Sequence, residues 1–237
     1  MSEQSRVLCS VLVPTRGRPG QALECAESFL TTATDASRVE VIVRAHWEDE
    51  ETLAGLRAAQ HSGARVRVLA GDTEDGYASM DHFVNSMAAV ANGDWLWPSA
   101  DDMRCRAPGW DGVLAALCED PVGECVMAVP RVVNMMSRTI TVMSRGFYEA
   151  LGHMGRTACA DCYVDSLAHF AGIKRPLAVD VEDSKLAWIG DRELMRSWDR
   201  YRSEEGARLF RLDKRKLGAV LGKQLGGWTP LEASPRP

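Results

Sequence analysis

The sequence predicts an α/β protein built on a mostly parallel central sheet flanked by helices. Short apolar runs alternate with segments of helical period, in the order β-α-β-α-β-α-β over roughly the first hundred residues. The runs are continuous rather than alternating in polarity, the pattern of strands covered on both faces. A length of 237 residues, 46% hydrophobic and 26% charged, suits one large domain that buries about 70–75% of its unfolded surface.

Residues 6–14 form the first apolar run, closed by Pro14. Pro19 opens the following helix, where Ala22, Ala26, Phe29 and Leu30 recur on one face. Residues 39–43 read as the second strand and 48–59 as an acid-led helix ending before Ser62 and Gly63. Residues 65–69 make a third strand. A helical stretch from Gly76 through Phe83, Met87 and Val90 stops at Asn92 and Gly93, and residues 94–97 make a fourth strand. Beyond Asp102 the pattern changes. Residues 108–117 read as helix, and 125–133 and 138–143 as two antiparallel strands joined by a short link. A helix over 158–171 ends at Gly172, a short apolar run covers 177–181, and 192–221 is helical and strongly charged. The Gly- and Pro-rich tail from Gly226 is expected to be loosely ordered. There is no internal repeat and no low-complexity tract.

With 33 acidic against 28 basic residues the net charge is −5, so the chain as a whole has no electrostatic reason to coat nucleic acid or an anionic membrane. That charge is uneven. Residues 190–223 carry 10 basic and 6 acidic side chains, net +4, whereas 1–189 carry 17 and 26, net −9. Arg192, Arg196, Arg200, Arg208, Arg211, Arg215 and Lys216 recur at roughly helical spacing, either as a stripe for a phosphate backbone or as a solvated face stitched by Glu204, Glu205 and Asp213. The start lacks the basic leader of a signal peptide, and the apolar run over 7–13 is too short to span a bilayer, so a cytoplasmic location is expected. Seven cysteines form no paired framework and read as buried hydrophobes; Cys159 and Cys162 have the spacing of half a zinc site without a second close pair.

The strongest chemical signal is the segment 94–102, where Asp101 and Asp102 lie in the loop beyond a buried strand. Adjacent carboxylates there suit magnesium or manganese bridging nucleotide phosphates; the alternative is a solvated loop that caps the next helix.

Five segments together resemble the family-2 glycosyltransferases of the GT-A fold, over residues 7 to about 173. Residues 11–19 (Val-Leu-Val-Pro-Thr-Arg-Gly-Arg-Pro) resemble the family's first strand and nucleotide loop. Asn85, Ala88, Ala91, Gly93 and Asp94 resemble the helix before the metal strand, and 95–102 the segment ending in the Asp-x-Asp-Asp motif. Residues 142–152 are similar to the strand and turn before the catalytic helix, and Asp161 falls at the position of the family's catalytic acid. The resemblance implies a GT-A-like (Rossmann-like) domain over 1–189, with a nucleotide-sugar half (7–102), an acceptor half (103–189) and a basic helical extension with a loose tail (190–237). It implies transfer of a sugar from a nucleoside diphosphate, UDP being the expected carrier, to an acceptor hydroxyl with inversion.

Pro14, Thr15, Arg16, Arg18, His46, Trp47, Gly76, Tyr77 and Asn85 are the candidates for holding the donor. The resemblance makes Asp101 and Asp102 ligands of a manganese or magnesium ion and Asp161 the general base, with Asp165 in reserve one turn later. Glu182 or Asp183 is a further candidate for the metal shell. Three positions depart from the pattern. Ser99 stands in place of the first metal Asp, Ala160 in place of a Glu, and the sequence Arg44-Ala-His-Trp in place of the Asp that meets the base. Trp47 offers a stacking face and His46 a hydrogen bond, although a Trp opening a helix also serves packing. The acceptor is either a saccharide or, given the basic C-terminal segment, a hydroxymethylated base in DNA reached by flipping or in an open strand. Two other classes share these features: a nucleotide-sugar-binding module that has lost its chemistry, favoured by Ser99 and Ala160, and a nucleotidyltransferase, disfavoured by the lack of a Gly-rich loop with a following Lys. Oligomeric state is left open.

Overall fold

The computed structural model describes residues 6–72, 79–133, 140–156, 160–183, 199 and 201–226. Its elements are β1 (Cys9–Pro14), α1 (Pro19–Thr32), a 3₁₀ turn (Ala36–Arg38), β2 (Val39–His46), α2 (Glu50–His61), β3 (Arg67–Gly71), α3 (Met80–Ala88), β4 (Trp95–Pro98), β5 (Met103–Cys105), α4 (Trp110–Ala115), β6 (Met127–Val132), β7 (Val142–Ser144), α5 (Arg145–Leu151), α6 (Ala160–Ala171), β8 (Lys174–Asp183) and α7 (Glu204–Val220). Among the described residues no helix is long and apolar enough to cross a membrane.

The strands form one sheet in the order β3-β2-β1-β4-β7-β6-β8-β5. β1 to β4 are mutually parallel, as the alternation of the first hundred residues requires. Consecutive residues of these strands face opposite layers, and both layers are apolar. Val11, Val13, Val41, Val43, Trp95 and Trp97 face α1, α2 and α4. Leu12, Ile42 and Leu96 face the layer that holds Met87 of α3, Phe147 of α5, Tyr163 and Leu167 of α6 and Phe210 and Leu217 of α7. In the first layer Phe29, Trp97 and Trp110 meet edge to face at centroid distances of 5.0, 5.6 and 5.3 Å, and the Trp110 indole donates to the Phe29 carbonyl at 2.9 Å.

The second half of the sheet is mixed. β7 enters antiparallel to β4 and β6 antiparallel to β7, as the hairpin reading expects, while β8 runs parallel to β6. Two expectations change. The three-residue strand β5 has no sequence signal, being too short for any period; it pairs with β8 at the edge, Met103 opposite Asp183. The sheet curls so that this edge returns to α1, where the Cys105 amide donates to Ser28 Oγ at 3.0 Å and Arg104 pairs with Glu24 at 2.5 Å. The single charged helix expected over 192–221 is interrupted: Ser203 is extended and caps a new helix by accepting from the Gly206 amide at 3.0 Å. Residues 184–198 lie outside the described set, as do Gly76, Tyr77, Cys159, Arg200 and the tail beyond Gly226.

A buried ionic knot fastens α7 to the domain. Asp213, with no exposed side-chain surface, accepts from Arg156 Nε and Nη2 at 2.7 and 3.0 Å, from Tyr163 Oη at 2.6 Å and bonds His153 Nε2 at 2.9 Å. Burial works against its charge, yet the hydrogen bonds from His153, Arg156 and Tyr163 prevail and hold the carboxyl well below the ordinary range. Burial, with Asp213 beside it, pushes the Tyr163 hydroxyl well up.

Candidate functional site

Parallel strands deliver their following loops to one edge of a sheet, and here three loops meet at the carboxyl ends of β1, β2 and β4. The Thr15 amide bonds the Arg44 carbonyl at 2.9 Å and the Ser99 amide bonds the Leu12 carbonyl at 2.9 Å, which extends the ladder past each strand end. The loop after β1 then turns through Gly17, whose φ of +66° suits the absence of a Cβ.

The centre of this edge is Asp101, almost fully buried. Its Oδ2 accepts from Thr15 Oγ1 at 2.8 Å, its Oδ1 pairs with Arg18 Nη2 at 2.9 Å, and its carbonyl accepts from Arg104 Nη1 at 2.9 Å. Thr15 and Arg18, both donor-loop candidates, thus bond the carboxylate of Asp101, the candidate metal ligand. Asp102 beside it and Asp183 at the end of β8 are equally buried, and the Met103–Asp183 pairing brings the β4–β5 turn to the β8 terminus. Ser99 does not face this cleft: its hydroxyl lies 3.7 Å from the Cys25 thiol on α1. Burial above all pushes that thiol up to about 12, which leaves it an inert core group.

Beside Asp101, a cavity of about 340 Å³ is lined by Arg16, Gly17, His46, Glu48 and Asp49. Asp49 is the keystone of its wall. Its carboxylate accepts from the Gly17 amide at 2.7 Å and from the Thr52 amide at 3.3 Å, so it caps α2 and ties the β1 loop to the β2 loop. Slight burial pushes against the charge, but these hydrogen bonds and Arg16 hold its carboxyl below the usual range. The same cap explains why α2 begins at Glu50 rather than at Glu48. Trp47 stands 55% exposed at the rim, stacked on His46 at a centroid distance of 5.8 Å and an interplanar angle of 27°. The Glu48 amide donates to His46 Nδ1 at 3.1 Å, which leaves Nε2 to carry the donor hydrogen. The indole is thus exposed rather than packed in the core.

Asn85, a donor-site candidate, is bonded to the protein backbone. Its amide nitrogen donates to the Gly155 carbonyl at 2.9 Å and its oxygen accepts from the Met154 amide at 2.6 Å, which pins the segment leading into α6 onto α3. Asp161 lies in the first turn of α6 at intermediate exposure. Asp165, one turn later, pairs with Lys174 at 2.5 Å, and this tie commits it to the helix surface. Asp81, 5% exposed on α3 one turn before Asn85, is a buried carboxylate that the sequence reading missed, since a lone Asp in a helix carries no signal of its own.

A divalent cation is tested against this geometry by its donor set. Asp101 and Asp102 offer the hard oxygen ligands that magnesium or manganese takes, and such ions complete their shells with substrate phosphates. Among the described residues no group of three or more His, Cys, Asp or Glu is arranged to hold a metal ion, and Arg18 already occupies one Asp101 oxygen. The residues fit a cation only together with the phosphates of a bound nucleotide.

No protein-family model and no curated protein matches the sequence. The structure does match solved ones. S. aureus TarS 1-349 in complex with UDP-GlcNAc superposes with a TM-score of 0.64 at 12% identity, over 90% of this chain and 70% of that one. The mannosyltransferase PcManGT from Pyrobaculum calidifontis, in complex with GDP-Man and Mn2+, gives 0.59 at 14% identity, over 90% and 74%. The longer S. aureus TarS chain gives 0.58, with 43% of its length covered. The chain has the fold of the GT-A glycosyltransferases.

Proposed function

We propose that this protein transfers a sugar from a nucleoside diphosphate to an acceptor hydroxyl, with inversion at the anomeric carbon. The observation that carries this reading is the meeting of Thr15 and Arg18 on Asp101 near the cavity lined by Arg16, His46 and Asp49, at the strand edge of a GT-A fold whose structural neighbours were captured with UDP-GlcNAc or GDP-Man. The base stacks on Trp47, with His46 Nε2 donating to one of its carbonyls and UDP as the expected carrier. Arg18, steadied by Asp101, presents its remaining N–H groups to the diphosphate and stabilises the negative charge that grows as the sugar departs. When bound, a magnesium or manganese ion at Asp101 and Asp102 adds to that stabilisation.

Asp161 takes the proton of the acceptor hydroxyl as its oxygen bonds to the anomeric carbon. Asn85 acts through the backbone by fixing the segment that precedes α6. The acceptor is a saccharide or a hydroxymethylated base in DNA. A second reading, nucleotide-sugar binding without transfer, is favoured by the orientation of Ser99 toward the α1 core.

The test is a panel of UDP- and GDP-sugars incubated with saccharides, unmodified DNA and hydroxymethylated DNA, with and without manganese, read as sugar incorporated into product. Incorporation from one donor supports transfer; donor binding without incorporation on any acceptor supports the second reading.

A further inference from the structure

The C-terminal segment holds a second cavity, about 580 Å³, between the last two turns of α7 and the chain that returns beneath them. Arg211, Lys214, Arg215 and Lys223 line it, together with small residues such as Gly218, and among the described residues no acidic side chain does. Two of the three acids of α7 are committed elsewhere. Asp213 is consumed by Arg156, Tyr163 and His153, and Glu205 holds Arg208 through two bonds of 2.7 Å. Lys214 and Lys223 brace the wall by donating to the carbonyls of Gly226 and Ala171. Among the described residues Arg211 and Arg215 have no ion-pair partner, and both are exposed. Arg208, part of the basic stripe in the sequence, is thus neutralised, while the unopposed charge gathers one turn further on.

We propose that this cavity binds the phosphate backbone of a single nucleic-acid strand. Arg211 and Arg215 are one helical turn apart, about 6 Å along the axis, a spacing on the scale of neighbouring phosphates. A concave, cationic site grips a chain of discrete phosphates, whereas a bilayer surface is flat and would meet only the rim. The site is remote from the donor cleft. Lys223 touches Ala171 at the carboxyl end of α6, and Asp161 lies at the other end, about 15 Å away at 1.5 Å per residue. A few nucleotides of an acceptor strand span that distance. As a dock for an acceptor strand the cavity rests on the transferase reading; as a binding site it does not.

The test is fluorescence anisotropy of a labelled single-stranded DNA 20-mer against the full chain over a range of salt, without donor. Each phosphate contact with a single strand adds about 0.7 to the slope of log affinity on log salt, so the double variant Arg211→Ala/Arg215→Ala should lower the slope by about 1.4. At 0.1 M salt this is a loss of about 25-fold. Arg208→Ala, already paired, should leave the slope unchanged. An unchanged slope in the double variant, an equal loss with Arg208→Ala, or binding of anionic phospholipid vesicles in place of the oligonucleotide would each overturn the proposal. Thermal shift by UDP-sugars, run on the same variants, should be unaffected and separates failure of this site from failure of the donor cleft.

Discussion

Asp213→Asn is the substitution whose cost can be worked most directly from the structure. The side chain keeps its shape but loses its charge, and one acceptor oxygen becomes an NH2 group facing donors. Removing one partner from a buried ionic cluster costs about 3–5 kcal/mol. Arg156 is 27% exposed and can turn to water, whereas Tyr163 is fully buried and His153 nearly so, which places the cost near the lower end, about 3 kcal/mol. For a chain of this size each kcal/mol moves the melting temperature by about 2–4 °C, so the variant should melt about 6–12 °C lower. The pH dependence has a definite sign. The carboxyl pKa is depressed in the folded state, so its stabilisation is complete above the ordinary value of 3.8 and is lost as pH falls below it toward the folded value. Calorimetric melts from pH 7 to pH 3 should therefore show an acid-induced fall in the wild type that is smaller in Asp213→Asn. A variant that melts within roughly 2 °C of wild type at pH 7 would refute the knot as the fastening of α7.

Trp47→Ala should weaken nucleotide binding by about 1–3 kcal/mol, the usual worth of an aromatic stacking partner, and leave the melting temperature of the unliganded protein unchanged because the indole is exposed; isothermal titration with UDP checks the first part and a melt the second, and unaltered affinity would remove the indole from the base site. Asp161→Asn should retain donor binding while turnover falls about 10²–10⁴-fold, and near-normal turnover in initial-rate assays would take the general base away from that residue. Gly93→Ala should cost about 1–3 kcal/mol in urea unfolding, because its new Cβ would lie 2.4 Å from the Ser10 nitrogen of β1; wild-type stability would show that the backbone yields there.

The parts of the fold that were legible in the sequence are those with a local period. The runs of β1, β2 and β4 are buried on both faces and so read as unbroken apolar strings, while Ala22, Ala26 and Phe29 mark the inner face of α1 at helical spacing. β5 was illegible because three residues carry no period and its partner lies about eighty positions away. The break at Ser203 was hidden by charged residues, which suit helix and turn alike. At the candidate site, the places of Thr15, Arg18 and Asp101 in loops beyond β1 and β4 were legible because each follows a strand that announces itself. The roles of Asp49 and Asp213 were not, since each depends on partners remote in sequence: Gly17 for Asp49, and His153, Arg156 and Tyr163 for Asp213.

The claim on which the rest depends is that the edge formed by Thr15, Arg18, Asp101 and Trp47 receives a nucleoside diphosphate sugar. A thermal-shift titration of the wild-type chain with UDP- and GDP-sugars, with and without manganese, tests it directly, because a ligand of the native state at one hundred times its Kd stabilises by about 2.7 kcal/mol. The account predicts a saturable rise in melting temperature with at least one nucleotide sugar, diminished in both Trp47→Ala and Arg18→Ala. No rise with any of them at millimolar concentration, in either metal condition, would contradict it.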